Sequence, residues 1–297
     1  MTGVIIVDKP RGPTSFDVVA AVRRAVGERR VGHAGTLDPM ATGILPVCVG
    51  EATKLVPFLM AGEKVYEAEA LLGVTTDTLD AEGTITDEQP AGHLTRAQVE
   101  AALAGFVGTI LQTPPMHSAI RLNGKRLYEL ARAGLEVERA AREVVVTEAR
   151  LDSFAIEGAR ARVRFTIGCG KGTYIRVIAG DLGALLGVGA HLTALRRTRV
   201  GGFTLERSVA LDALGPECPS LGLAEALAHL PSLPLDEQQA RDVRDGKVKV
   251  VEQLQPPDGS PFVRLLRPDG SLLAVAALES GKLRLSRVFT LTNQLNS

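Results

Sequence analysis

The chain has 297 residues, 45% of them hydrophobic, which is enough for a buried core and a smaller companion domain. Its 34 basic and 34 acidic residues cancel, so the total charge does not point to a nucleic-acid partner. The sequence contains no run of roughly 18 apolar residues and no signal-peptide pattern, so we expect a cytoplasmic protein without a membrane anchor. Three cysteines and five histidines are widely scattered, so we expect neither a disulfide framework nor a metal site.

The charges are distributed unevenly along the chain. Acidic residues concentrate in residues 62–90, where Lys64 is the only base. Basic residues concentrate in three other segments, 121–142, 196–199 and 241–287. Each cluster alone is typical of ordinary solvated surface, but three in one chain favour a surface that contacts phosphate groups.

The first predicted elements are a strand and two helices. Residues 4–7 are apolar and predict the strand. Residues 12–27 predict a helix that Thr14 can cap. A capping box at residues 95–98 starts the second helix. Its apolar face consists of Val99, Ala102, Leu103 and Phe106.

The second half of the chain begins with strands. Apolar and polar residues alternate over residues 161–167, which predicts a half-solvated strand, and residues 144–151 predict its neighbour. Over residues 174–186 apolar residues recur every three to four positions, which predicts a helix. We therefore predict an α+β fold with a mixed, largely antiparallel sheet and flanking helices.

The most informative segment is residues 31–43, which read VGHAGTLDPMATG. Its glycines, at positions 32, 35 and 43, permit backbone shapes and close approaches that a Cβ would obstruct. Pro39 keeps the preceding residues out of helical geometry, so the carboxylate of Asp38 has a fixed direction. The simpler alternative is that Asp38 and Pro39 only open a tight turn, with the carboxylate bonded to its own backbone.

This segment resembles the uridine-reading motif of the TruB family of pseudouridine synthases. The resemblance extends over residues 3–290, because the family's other motifs follow in order. They are DKPRGPTS at residues 8–15, KVY at 64–66 with LG at 72–73, GKGTYIR at 170–176 and HLTALRRT at 191–198.

The resemblance implies an enzyme that converts uridine 55 in the T-loop of tRNA to pseudouridine. This isomerisation cleaves the N1-glycosidic bond, turns the flipped base and rejoins it through C5, so no cofactor and no metal are expected. Asp38 is implied as the catalytic carboxylate. Attack at C6, attack at the anomeric carbon and removal of a sugar proton all stay open.

The resemblance also implies roles for other side chains. Arg176 resembles the arginine that pairs with the catalytic aspartate, and a guanidinium would keep a carboxylate ionised among apolar neighbours. Tyr66 resembles the tyrosine that stacks on the target base and completes the catalytic set, although an ordinary core position also fits it. The implied substrate-binding residues are His33, Tyr174, Leu195 and Lys9, and the basic clusters add Lys125 and Arg196. Lys9 also fits a structural role beneath the active loop.

We predict a catalytic domain over residues 1–232 and a PUA-like RNA-binding β-barrel over residues 236–297. Residues 114–142 resemble the family's thumb insert, with a short amphipathic helix around Leu127; a plain helical hairpin is the alternative. The insert distinguishes stand-alone bacterial enzymes from guide-RNA-dependent relatives. The implied partner is therefore the T-stem-loop of tRNA, with no guide RNA and a monomeric protein.

Two other function classes stay open. The same residues could serve an RNA-folding factor that does not catalyse. A carboxylate-dependent enzyme on a small glycosidic substrate would need a second carboxylate about 5–10 Å from Asp38. The candidates for that second group are Glu51 and Asp181.

Overall fold

The computed structural model describes residues 1–116, 118, 121–122, 124–127, 130, 134–135, 137–257 and 260–290. The chain divides into two compact units. The first unit comprises Met1–Leu37, Ile44–Met60 and Gly201–Ser297, and the second comprises Asp38–Gly43 and Ala61–Val200. The domain boundary between residues 232 and 236 stays a prediction. None of the helices within the described ranges is long and apolar enough to cross a membrane.

The helices and strands are numbered in chain order. The α-helices are α1 (Ser15–Val26), α2 (Val56–Ala61), α3 (Arg96–Ala104), α4 (Ile175–Leu185), α5 (Leu223–Ala226), α6 (Glu237–Arg244) and α7 (Val248–Glu252). The strands of the first half are β1 (Gly3–Lys9), β2 (Val31–His33), β3 (Thr42–Val49), β4 (Lys64–Leu72), β5 (Val74–Thr76), β6 (Ile85–Glu88), β7 (Gly108–Gln112), β8 (Arg121–Leu122) and β9 (Lys125–Arg126). The remaining strands are β10 (Arg142–Glu157), β11 (Arg160–Cys169), β12 (Ala190–Val200), β13 (Phe203–Thr204), β14 (Val209–Ala210), β15 (Ser232–Pro234), β16 (Phe262–Leu266), β17 (Leu272–Glu279) and β18 (Lys282–Val288).

A largely antiparallel sheet forms the body of the second unit. Its strand order is β12-β4-β11-β10-β7, and each neighbouring pair in this row is antiparallel. The first two residues of β3 add a parallel pairing, with Thr42 opposite Arg196 and Gly43 opposite Arg197. The helix α4 packs against β12. The predicted mixed, largely antiparallel sheet with flanking helices is thus confirmed.

In the first unit β1 pairs parallel with β14, and β2 pairs antiparallel with β3. The hydroxyl of Ser15, at the start of α1, makes two hydrogen bonds to the main chain of Leu37. It donates to the Leu37 carbonyl at 3.0 Å and accepts from the Leu37 N–H at 2.9 Å. The backbone is therefore held one residue before Asp38.

The last part of the first unit is a four-stranded sheet in the order β15-β16-β17-β18. Its core is apolar and includes Leu235, Val243, Val263, Leu265 and Leu283. Within the described residues these strands pair in an open row, so the closed PUA-like barrel stays a prediction.

Local sequence signals placed the starts of α1 and α3 correctly. Thr14 caps α1 and Thr95 caps α3, each in a complete capping box. Because α3 ends at Ala104, Phe106 packs into the core from beyond the helix, which corrects its predicted place on the helical face. The helix predicted around Leu127 lies largely outside the described residues.

The glycines of the 31–43 segment have different roles. Gly43 has a φ of +98°, and a Cβ there would lie 2.2 Å from the Arg197 carbonyl oxygen. Gly35 also has a left-handed φ, of +114°. Gly32 has neither a left-handed φ nor any neighbour within 4 Å of a Cβ, so the prediction that it requires glycine is wrong.

Gly43→Ala is expected to lower the free energy of unfolding by about 1–3 kcal/mol or more, because a strained φ and a backbone collision combine. Equilibrium unfolding in urea measures the loss. Gly32→Ala is the matched control, for which we expect a change within about 1 kcal/mol. Equal losses in the two variants would contradict this account of Gly43.

Candidate active site

Asp38 lies in the predicted turn, and its side chain is partly open to solvent. Its carbonyl oxygen accepts a hydrogen bond from the Ala41 N–H at 3.0 Å, so the tight turn is formed by the main chain. Its carboxylate oxygen Oδ2 lies 3.3 Å from Nη2 of Arg176. With 38% of the Asp38 side chain exposed, the carboxylate is reachable from outside. The main chain of Asp38 therefore forms the turn, while its side-chain carboxylate forms the candidate site.

Arg176 joins two carboxylates. It is the second residue of α4, and only 6% of its side chain is exposed. Its Nη2 faces Asp38, and its Nη1 donates to Oδ2 of Asp80 at 3.1 Å. A buried guanidinium requires such pairing, because an unpaired charge in the interior is strongly unfavourable.

Asp80 is held from several directions. Its Oδ1 accepts from the Thr78 hydroxyl at 2.7 Å and from the Glu82 N–H at 3.1 Å. Its carbonyl oxygen accepts from the Thr76 hydroxyl at 2.7 Å. A carboxylate whose two oxygens accept from a guanidinium, a hydroxyl and an N–H acts as an acceptor and not as a proton donor. We therefore regard Asp80 as an anchor for Arg176.

Both tyrosines of the predicted site lie near an arginine. The guanidinium carbon of Arg197 is 6.0 Å from the ring centroid of Tyr66, and that of Arg176 is 5.9 Å from the ring centroid of Tyr174. Tyr66 is buried and Tyr174 is half-buried. Burial raises the pKa of both phenols, so they are protonated at neutral pH.

Lys64 is buried on the same face of β4 as Tyr66. Its Nζ donates to the Gly62 carbonyl oxygen at 2.5 Å. Burial, together with the nearby charge of Arg197, lowers the pKa of Lys64 to about 8. Opposite it on β11, burial raises the pKa of the Cys169 thiol to about 11.

The remaining predicted residues of the second unit have different environments. Leu195 is half-buried opposite Ala68, and its carbonyl oxygen accepts from the Thr42 hydroxyl at 3.4 Å. Arg196 is half-buried, with Nη1 3.4 Å from the same hydroxyl. Lys125 lies in β9, and its side chain is outside the described residues.

Three of the singled-out residues belong to the first unit. His33 is half-buried in β2, and its ring contacts Phe16 edge-to-face at 5.5 Å between centroids. Lys9 is fully buried, and its Nζ donates to the Pro10 carbonyl oxygen at 3.0 Å, which favours its structural role over substrate binding. Glu51, one of the two candidate second carboxylates, forms ion pairs with Arg30 and Lys54.

Asp80 was not among the residues predicted for the site, because the sequence shows it only as one of the acidic residues in the segment 62–90. A signal was present in the TDTLDAEG run at residues 76–83, because a threonine two positions before an aspartate and a following glycine are typical of side-chain-capped turns. Asp181, the other candidate carboxylate, lies at an exposed position of α4. In the part of the chain that the structure describes, no three His, Cys, Asp or Glu side chains are grouped to hold a metal ion.

A partly exposed carboxylate held by a buried arginine is typical of a carboxylate-dependent active site, and comparisons with known proteins identify the family. A model of the TruB family pseudouridylate synthase N-terminal domain matches residues 23–175, and a model of the tRNA pseudouridylate synthase B C-terminal domain matches residues 176–219. The chain therefore belongs to the TruB family of pseudouridylate synthases, as its motifs indicated.

Individual relatives match nearly the whole chain. The tRNA pseudouridine synthase B of Thermobifida fusca is 50% identical over 284 residues, which cover 94% of this chain and 95% of the relative. The tRNA pseudouridine synthase B of Geobacter sulfurreducens is 43% identical over 308 residues, covering 97% of this chain and 100% of the relative. A chain from a crystal structure of a Cbf5–Nop10–Gar1 complex is similar in structure, with a TM-score of 0.72 and 26% identity over 97% of this chain and 85% of that chain.

Asp80→Asn is expected to slow turnover by about 10–10²-fold without a matching loss of RNA affinity, because the amide leaves Arg176 less firmly anchored beside Asp38. Single-turnover kinetics with saturating enzyme measure the rate, and filter binding measures the affinity. Asp87→Asn removes an exposed carboxylate of the same acidic cluster and serves as the control. Wild-type turnover in Asp80→Asn would contradict the anchoring role.

Proposed function

We propose that this protein converts uridine 55 in the T-loop of tRNA to pseudouridine, as a monomer and without a guide RNA. The observation that carries the proposal is the partly exposed Asp38 carboxylate on the buried Arg176 in a chain of the TruB family. Full-length relatives named tRNA pseudouridine synthase B support tRNA as the substrate. A tRNA substrate supports the cytoplasm as the proposed location.

The geometry suits chemistry on an extruded nucleoside. A base must leave its stack before an enzyme can act on its ring atoms, and an RNA loop offers unstacked bases more readily than a duplex does. Tyr66 and Tyr174 supply aromatic faces, and stacking of a base on such a ring is worth roughly 1–3 kcal/mol. Leu195 adds an apolar wall to the base pocket in this proposal.

Asp38 is the reactive group in this proposal. Attack at C6, attack at the anomeric carbon and removal of a sugar proton all require one of its oxygens against the nucleoside. Arg176 opposes the negative charge of the attacking carboxylate and fixes its direction. The proposed reaction needs no redox step and no group donor, and Asp38 supplies the nucleophile or base of its first step.

A glycosidase-like enzyme is a weaker candidate on this geometry. Such chemistry uses a second carboxylate that donates a proton to the leaving group. Asp80, which shares Arg176 with Asp38, has both oxygens occupied as acceptors. A non-catalytic RNA-folding role differs from catalysis in one measurable result, which is tRNA binding without isomerisation.

Asp38→Asn is expected to abolish turnover while tRNA affinity is retained, because the amide keeps the shape of the side chain but is neither a nucleophile nor a base at neutral pH. The assay is tritium release from a [5-³H]uridine-labelled, unmodified tRNA transcript. A transcript with cytidine at position 55 is the substrate control. Release that does not depend on Asp38 and uridine 55 would refute the proposal, and tight binding with no release by the wild type would favour the RNA-folding factor.

Arg196→Gln is expected to weaken tRNA binding and to reduce the slope of log Kd against log salt by about one, because each neutralised phosphate contributes roughly one released counterion. Titrations at several salt concentrations measure the slope. Arg164→Gln is the control, because Arg164 is an exposed residue of β11 that forms an ion pair with Glu69 of β4. An unchanged slope in Arg196→Gln would show that Arg196 does not contact phosphate.

A further inference from the structure

Gln112, the last residue of β7, is a buried polar side chain with 2% of its surface exposed. Its amide makes two hydrogen bonds to the main chain of one residue, Tyr174. The Nε2 donates to the Tyr174 carbonyl oxygen at 3.1 Å, and the Tyr174 N–H donates to Oε1 at 2.7 Å. Because one bond is donated and the other accepted, both the amide and the peptide units beside Tyr174 are fixed in orientation.

Tyr174 is the residue at which α4 begins. It is the N-cap of the helix, and its side chain makes no capping hydrogen bond. Its carbonyl oxygen also accepts from the N–H groups of Val177 and Ile178, at 3.1 and 3.2 Å. The first turn of α4, which contains Arg176, is thus bonded to the carbonyl that Gln112 holds. A shift of this carbonyl would move the guanidinium relative to Asp38 and Asp80.

Gln112 is itself firmly supported. It lies opposite Arg142 in the antiparallel ladder of β7 and β10. Just beyond this pair, Nη1 of Arg139 donates to the Pro114 carbonyl oxygen at 3.2 Å and joins the two chain segments at the base of the insert. A side chain that orients others needs such a base, because a loosely held support transmits its own disorder.

We infer that Gln112 is a positioning residue for the reaction: it holds the start of α4 so that Arg176 meets Asp38 and the ring of Tyr174 keeps its place. This inference rests on the proposed function, because the effect is measured in the isomerisation. A buried amide with only a structural role would contribute to stability alone. A positioning residue alters the chemical step, since displacing reacting groups by about 1 Å lowers a rate by about 10²-fold.

The test is the variant Gln112→Met, which has a similar length and loses both hydrogen bonds. We expect the single-turnover rate of tritium release, at saturating enzyme, to fall by about 10²-fold. The Kd for tRNA should stay at the wild-type value, because Gln112 is buried and its replacement leaves the exposed surface unchanged. Gln112→Glu retains an acceptor for the Tyr174 N–H but, when ionised, no donor for the carbonyl, so its rate should be intermediate. If Gln112→Met does not fold, Gln112→Glu decides by the same comparison.

Gln98→Met is the control for a general loss of stability. Gln98 lies at an exposed position of α3, where Oε1 accepts from the N–H and the hydroxyl of Thr95 at 2.8 and 2.9 Å. We expect it to lower the unfolding midpoint without changing the rate. A wild-type rate in folded Gln112 variants, an equal rate loss in Gln98→Met, or a loss of affinity without a loss of rate would each overturn the inference. No release by the wild-type enzyme would instead refute the proposed function.

Discussion

The active site depends on one buried guanidinium that two carboxylates share unequally. Asp80 has 4% of its side chain exposed and accepts hydrogen bonds on both oxygens, whereas Asp38 has 38% exposed. Arg176 is therefore neutralised and oriented by the buried partner and presents its other nitrogen to the accessible one. This division separates stability from chemistry, because the buried pair satisfies the charge of Arg176 whether or not Asp38 is engaged by a substrate. A single carboxylate would have to neutralise the buried charge of Arg176 and also engage the substrate.

Holding Asp80 in this place strains the chain locally. Leu79 has a φ of +62°, a left-handed backbone conformation that residues other than glycine rarely adopt. The surrounding structure stabilises it: the Leu79 N–H donates to the Thr76 carbonyl at 3.2 Å, its carbonyl accepts from Leu192 at 3.0 Å, and its side chain packs against Gly180 of α4. Strained residues persist where their surroundings over-determine them, and they cluster at functional sites. Here the strain lies next to Asp80, the residue that anchors Arg176.

The interactions that could be predicted from the sequence are those between residues that lie close together along the chain. The caps at Thr14 and Thr95 depend on residues three positions apart, and strand alternation depends on immediate neighbours, so both were predicted correctly. Asp38 and Arg176 were placed together only through the family resemblance. Asp80 lies 96 positions from Arg176, and no local sequence pattern predicts the hydrogen bond between them. Composition alone placed Asp80 in an acidic segment, and the structure buries its side chain.

The raised pKa values of the two tyrosines limit what their hydroxyl groups can do in the reaction. Burial raises the pKa of Tyr66 and Tyr174, so each enters the reaction as a protonated phenol with an aromatic face. The positive charge of Arg197 acts in the opposite direction on the pKa of Tyr66, and the charge of Arg176 acts likewise on that of Tyr174. Burial is the larger influence on both pKa values, so each phenol would have to lose its own proton to a base before it could take one up during the isomerisation. Tyr174 is near Arg176, but that guanidinium is already committed to two carboxylates. In the proposed reaction Asp38 is therefore the group available for the first step, and the two tyrosines contribute their aromatic faces while their phenols stay protonated.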